Sequence, residues 1–168
     1  MKQNSGVKNQ EGSVMVVALI LLVVLTLLGI TISTISETEI QIAGNERQYK
    51  ENVYQAEAAV MQCAQTMQEA ASLDAAALAW MNAKGSVTAA NIRSDTWWND
   101  TNSAVVNAAV DPGADTRYLA VEEGVAEGTS LDMTKTPLRS YAIYGKRYDS
   151  ANPNRGRSVV KIGFRKAM

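Results

Sequence analysis

The stretch NQEGSVMVVALILLVVLTLLGITIS, Asn9 to Ser33, decides how the rest of the chain is read. No residue from Ser13 to Ser36 is charged, and Val14 to Ile32 is apolar apart from Gly29, Thr26 and Thr31. At a rise of about 1.5 Å per residue, roughly 20 helical residues cover the 30 Å or so of a bilayer's hydrocarbon layer, so the run is long enough to cross. A cleaved secretory signal has a shorter apolar core and ends in small residues, whereas Ile30 to Ile35 stays rich in β-branched side chains with no A-x-A pattern. The run is therefore expected to be retained. Lys2 and Lys8 precede it and the segment that follows mixes signs, which predicts a cytoplasmic N-terminus and an exported domain.

Beyond Ile35 the apolar pattern continues at helical spacing. Tyr49, Val53, Ala56, Val60, Cys63 with Ala64, and Met67 recur along one stripe of ETEIQIAGNERQYKENVYQAEAAVMQCAQTM. The membrane helix is expected to run on as an amphipathic one to about residue 70, roughly 55 residues and about 80 Å in all. So long an element cannot bury its whole length against one small domain. Its first half needs lipid or neighbouring helices.

At 168 residues there is room for one modest domain beside this helix. Sixteen basic and 17 acidic residues give a net charge of −1, so the chain as a whole carries no basic field for nucleic acid. It has no histidine, which removes the usual general base and the commonest metal ligand. The lone cysteine, Cys63, cannot form an internal disulfide and reads as a small buried hydrophobe. Asp111, Asp115, Glu122 and Glu123 do not follow the spacing of a calcium loop and read as solvated carboxylates. There is no phosphate-binding Gly-rich loop, no paired-cysteine motif and no G-x-S-x-G elbow. The chain is read as non-enzymatic, with no cofactor, no metal and no nucleic-acid partner.

The exported part divides in two. Ser72 is expected to N-cap a short second helix ending before Gly85, with Leu78, Trp80 and Met81 inward, because its alanine run favours helix. Gly85 to Asp115 is rich in Asn, Asp, Ser, Thr and Gly and reads as a long connection with short elements; of the adjacent Trp97 and Trp98, one is expected to pin it to the domain. Three strands follow, Arg117 to Glu123, Ser140 to Tyr148 and Ser158 to Lys166, the last two joined through the turn-rich Asp149 to Arg157 as an antiparallel hairpin. The hairpin carries Arg147, Arg155, Arg157, Lys161, Arg165 and Lys166, read as charges guarding a solvated sheet edge, with a contact to an acidic partner as the alternative.

Two lysines, then a glycine, Gly12, set directly against an aliphatic run resemble the class III signal of type IV pilins. More narrowly, the run ending Leu27-Leu28-Gly29, followed by Ala43-Gly44-Asn45 and Ala56-Glu57-Ala58-Ala59, resembles the minor pilins of the PilX type over about a third of the chain. The resemblance implies an α+β pilin-like fold, a long N-terminal helix packed against a small antiparallel sheet. It implies that residues 1–12 are a leader, 13–36 a transmembrane and filament-core helix, and 37–168 a periplasmic head that includes the amphipathic helix. A prepilin peptidase would cut between Gly12 and Ser13 and methylate Ser13.

The resemblance further implies an inner-membrane protein that passes into the pilus, and a part in starting and assembling it beside the major pilin, other minor pilins and a PilY-family tip adhesin. Adhesion and twitching motility come with that expectation. Major pilins carry phenylalanine after the scissile glycine and glutamate as fifth mature residue; here these are Ser13 and Val17. The missing carboxylate, which in the family is thought to meet the amine of the neighbouring subunit, points to a place at the tip, where no subunit lies ahead. The alternatives are a minor pseudopilin of type II secretion, or a membrane-anchored periplasmic binding module or enzyme.

Overall fold

The computed structural model describes residues 10–70, 73, 78–111, 115–128, 137–149, 151–152 and 156–167. The chain divides into two units, Met1–Glu46 and Arg47–Met168. The first helix, α1, runs over Gln10–Glu69 and so contributes to both.

In the first unit every described side chain from Gly12 to Glu46 is exposed. The apolar ones between Val14 and Ile35 are 46 to 70 % exposed, a surface water does not tolerate at that extent and lipid does. Its threonine hydroxyls are already satisfied. Thr26, Thr31, Thr34 and Thr38 donate to the carbonyls of Val23, Leu27, Thr31 and Thr34 at 2.8 to 2.9 Å. Each bond closes within the helix, so the side chains ask nothing of an apolar surrounding.

The second unit packs the C-terminal part of α1 on a sheet. Strands β1 (Met81–Asn82), β2 (Ala104–Val105), β3 (Thr116–Val125), β4 (Leu138–Tyr148) and β5 (Arg157–Ala167) form it, with a short helix α2 (Ala89–Arg93) between β1 and β2. The order is β1-β3-β4-β5, and β2 also pairs with β3. β3, β4 and β5 are antiparallel neighbours, and the β4–β5 hairpin keeps one register from Leu138↔Ala167 to Tyr148↔Arg157. This is an α+β pilin-like arrangement, and the three expected strands are present, each slightly longer than its sequence signal.

The sheet is nevertheless mixed, not antiparallel throughout, because β1 pairs parallel with β3 through Met81↔Ala120 and Asn82↔Val121. The long connection through α2 and β2 gives the chain the length that a parallel return needs. The described last part of the expected second helix before Gly85, residues 78–84, is corrected by the same strand. Residues 71–72 and 74–77 of that expectation fall outside the described residues, but 79–80 form a turn and 81–82 a strand. Ala120 donates its N–H to the Trp80 carbonyl at 2.8 Å and the Trp80 ring meets Tyr118 edge-on at 5.7 Å. Strand pairing and an aromatic contact outweigh the weak helix preference of the alanine-rich sequence. Among the described residues the next helix after α1 is α2, where the Thr88 side chain accepts the Asn91 N–H at its N-terminus.

The core face of α1 is Ala56, Ala59, Val60, Cys63 and Met67, all at most 1 % exposed. Ala59, Val60, Cys63 and Met67 meet Trp80, Met81, Val106, Tyr118, Ala120, Tyr141 and Ile143, as the 3.6-residue spacing requires. Trp80 and Met81 do point inward, as expected of them. The expected stripe began too early: Tyr49 is 66 % exposed and Val53 only half-buried, while Asn52, one position from Val53, is buried.

Candidate functional site

Of the residues singled out from the sequence, Gly12, Ser13 and Val17 all lie in the first turns of α1. A Cβ at Gly12 would meet nothing within 4 Å, and Val17 is 53 % exposed. Residues 1–9, the bulk of the expected leader, fall outside the described residues. The surface that these residues open, Val14 to Ile35, is the candidate functional site: a continuous apolar helix, the one described helix long and apolar enough to cross a membrane.

Part of the hairpin's basic cluster is engaged inside the head, which corrects its reading as edge charge for Arg147 and Lys166, whereas Arg157, Lys161 and Arg165 stay exposed on β5. Arg147 lies between Asp111 and Asp115, 3.2 Å from a carboxylate oxygen of each. Asp111, itself 3 % exposed, also accepts the N–H of Thr116 at 2.8 Å and of Asp115 at 3.1 Å. These two carboxylates, read from sequence as solvated, hold the segment before β3 against β4. Arg157 reaches the Arg93 carbonyl at 3.0 Å and Asp95 at 3.2 Å. Lys166 donates to the carbonyls of Met67 and Ala70 at 2.6 Å and to that of Gln68 at 3.3 Å. The last turn of α1 carries no basic residue of its own. A lysine from the far end of the chain thus supplies the positive charge that a helix C-terminus favours, worth up to about 2 kcal/mol. Arg155 falls outside the described residues. Lys161 sits 3.6 Å from Glu123 and 5.4 Å from the Tyr144 ring centre.

Lys146, absent from the sequence reading, is the most buried of these cations, its side chain 3 % exposed. It donates to Asp95 at 2.6 Å and the Ser94 carbonyl at 2.7 Å, and lies 5.5 Å from the centre of Trp98. Burial holds its pKa below the ordinary lysine value, and Asp95 only partly offsets that. For Asp95, partial burial acts to raise the pKa, but Lys146 and Arg157 together outweigh it and hold the carboxyl below the ordinary value. The one signal in sequence was alternation: Lys146 follows Tyr144 by two and so falls on the face of β4 that Tyr144 shares.

Trp98 is the pinning tryptophan. It is 6 % exposed, donates its Nε1–H to the Ile92 carbonyl at 3.1 Å, and packs with Leu119 and Val121 on the sheet face away from α1, while Trp97 is half-buried beside it. Cys63 lies in the core as expected, its thiol pushed up to about 12 by burial and so unreactive at neutral pH. No group of three or more His, Cys, Asp or Glu able to hold a metal ion occurs among the described residues.

Compared with known families, residues 11–60 match the family model described as PilX N-terminal. That interval holds the glycine, the aliphatic run, Ala43-Gly44-Asn45 and most of the core-facing part of α1. No curated protein and no solved structure matches the chain.

Proposed function

We propose that this chain, with a PilX-type N-terminal domain over residues 11–60, is a minor pilin that takes part in starting and assembling a type IV pilus, in a tip complex with other minor pilins. The observation that carries the reading is the division of labour along α1. Val14 to Ile35 is exposed and apolar, suited to lipid and later to packing among subunit helices, whereas between Ala56 and Met67 one face, Ala59, Val60, Cys63 and Met67, is buried in the head's core. Both surroundings suit a helix that satisfies its own backbone and threonine hydroxyl groups. Transfer from membrane to filament then exchanges one apolar contact for another. In this reading residues 1–12 are a cytoplasmic leader, a prepilin peptidase cuts between Gly12 and Ser13, Ser13 is methylated, 13–36 is the span, and 37–168 is the periplasmic head. Major pilin, other minor pilins and a PilY-family adhesin are its partners.

The test is the mature N-terminus, read by mass spectrometry from host membranes. It should begin at Ser13, and a chain still carrying Met1 to Gly12 in cells with an active prepilin peptidase would refute the assignment.

Val17 supports the tip position, since a subunit without the carboxylate cannot neutralise an amine ahead of it. Val17→Glu should then bring no gain in incorporation. It would set an unpartnered carboxylate in an apolar surrounding, a penalty of several kcal/mol unless it protonates. Immunogold labelling of sheared pili should keep the label at filament ends, with the membrane pool measured alongside to separate poor insertion from poor assembly. Label along the shaft that rises with the glutamate would count decisively against a tip role.

A further inference from the structure

The sheet treats its two edges differently. The outer edge of β3 is covered by β1 through Met81↔Ala120 and by β2 through Ala104↔Tyr118. At the other edge β5 extends for 11 residues in regular register with β4, and among the described residues no strand pairs with its outer side. Such a strand presents a row of backbone N–H and C=O groups ready to pair, which proteins blunt with bulges, prolines or charges. Arg157 to Ala167 contains no proline, and no register shift interrupts its pairing. A Cβ at its central Gly163 would meet nothing within 4 Å.

The two faces of β5 say what fits. Val160, Ile162 and Phe164 pack on the core cluster yet remain only half-buried, and among the described residues no strand lies beyond them. On the opposite face Arg157, Val159, Lys161, Gly163, Arg165 and Ala167 are exposed, so three cations recur at every fourth residue. A second copy of the same strand offers no acidic residue: an antiparallel pair centred on Lys161 sets Lys161 against itself and Arg157 against Arg165, and one centred on Ile162 sets Lys161 opposite Gly163 and Arg165 opposite Val159, so the exposed cations find no counter-charge in either register. Acidic side chains at those positions would be attracted instead.

We propose that the outer edge of β5 is a docking site for an extended segment of another polypeptide, which adds as a sixth strand. The segment is apolar toward Val160, Ile162 and Phe164 and acidic toward Lys161 and Arg165. Main-chain bonds to β5 supply affinity, and the alternation of the partner supplies selectivity. The inference uses the head's sheet alone and does not depend on the pilus reading.

A photoreactive phenylalanine placed at Val159 or Gly163 in the full chain, expressed in its own host, tests it. The expected adduct joins β5 to a segment of a different protein that alternates apolar and acidic residues when its cross-linked peptide is sequenced. The pair K161E and R165E should reduce the adduct at least tenfold. Both positions are exposed, and an unchanged melting temperature checks that the fold survives; Arg165→Glu alone serves if the pair does not fold. Reversing the acidic residues of the captured segment should restore the adduct with the charge-reversed chain. An adduct with a second copy of this chain, an adduct with a helical segment, a yield indifferent to the reversal, or no adduct at either position would overturn the proposal.

Discussion

Arg147→Met should destabilise the head by about 3 to 5 kcal/mol, the range for removing one member of a buried ion pair while its partners stay behind. The guanidinium is 13 % exposed and bridges Asp111 and Asp115, of which Asp111 is almost wholly buried. Two backbone N–H groups still reach Asp111 in the variant, but the full positive charge is gone. The loss should spread beyond the pair, because the same segment donates Asn107 N–H to Gln62 of α1 at 3.0 Å and Val106 N–H to the Thr116 carbonyl at 3.0 Å. Urea unfolding of the full chain in detergent reads it out through tryptophan emission, since Trp80, Trp97 and Trp98 all lie in the second unit. Adding Asp111→Asn to the variant should recover part of the loss by removing the stranded charge. A single-variant loss below about 1 kcal/mol would mean that the ion pair contributes no more than an exposed one.

Gly145→Ala should cost about 3 kcal/mol, the upper part of the usual range for overpacking, and Gly145→Val more. Gly145 stands in the middle of the central strand, between Tyr118 of β3 and Val160 of β5. A Cβ there would run into the Ala56 carbonyl oxygen of α1, approach Val60 Cγ2 to 2.7 Å and the Ala59 Cβ to 3.2 Å. The Val60 methyl can rotate away, but the carbonyl belongs to the helix backbone and moves only with the helix. Val60→Ala introduced beside Gly145→Ala should therefore relieve only part of the strain, giving a double variant less damaged than the sum of the two. The same denaturation experiment measures it. Tolerance of alanine at 145 within about 1 kcal/mol would show that helix and sheet can separate at little cost.

These two sites mark where sequence reading stops. The apolar half of α1 is legible from residue order alone, because a run of uncharged, mostly aliphatic side chains long enough to cross a bilayer's hydrocarbon layer has few alternatives to a helix in lipid. Strands β3, β4 and β5 are legible for a similar reason. Alternation of β-branched and aromatic residues is a local signal, and the hairpin partner lies next in sequence. The core positions Val60, Cys63 and Met67 follow from the 3.6-residue period.

Contacts between residues far apart in sequence carry no such local mark. Nothing near Lys166 announces that it caps a helix ending almost a hundred positions earlier, and nothing near Gly145 announces that a carbonyl of α1 lies above it. Met81 and Asn82 form a strand only because β3 offers an edge there, against a local preference for helix. The hairpin's cations read as solvated because charge sign is visible in sequence while the partner is not: Asp95 and Asp111 reach Arg157, Lys146 and Arg147 through the packing of two separate segments on the sheet. What residue order determined here are the elements whose stabilising contacts lie within a turn or a hairpin of one another. Tertiary structure alone decided the close approach of helix to sheet, the parallel strand and the pairing of buried charge, because each of these depends on a desolvated neighbour that only the folded chain brings near.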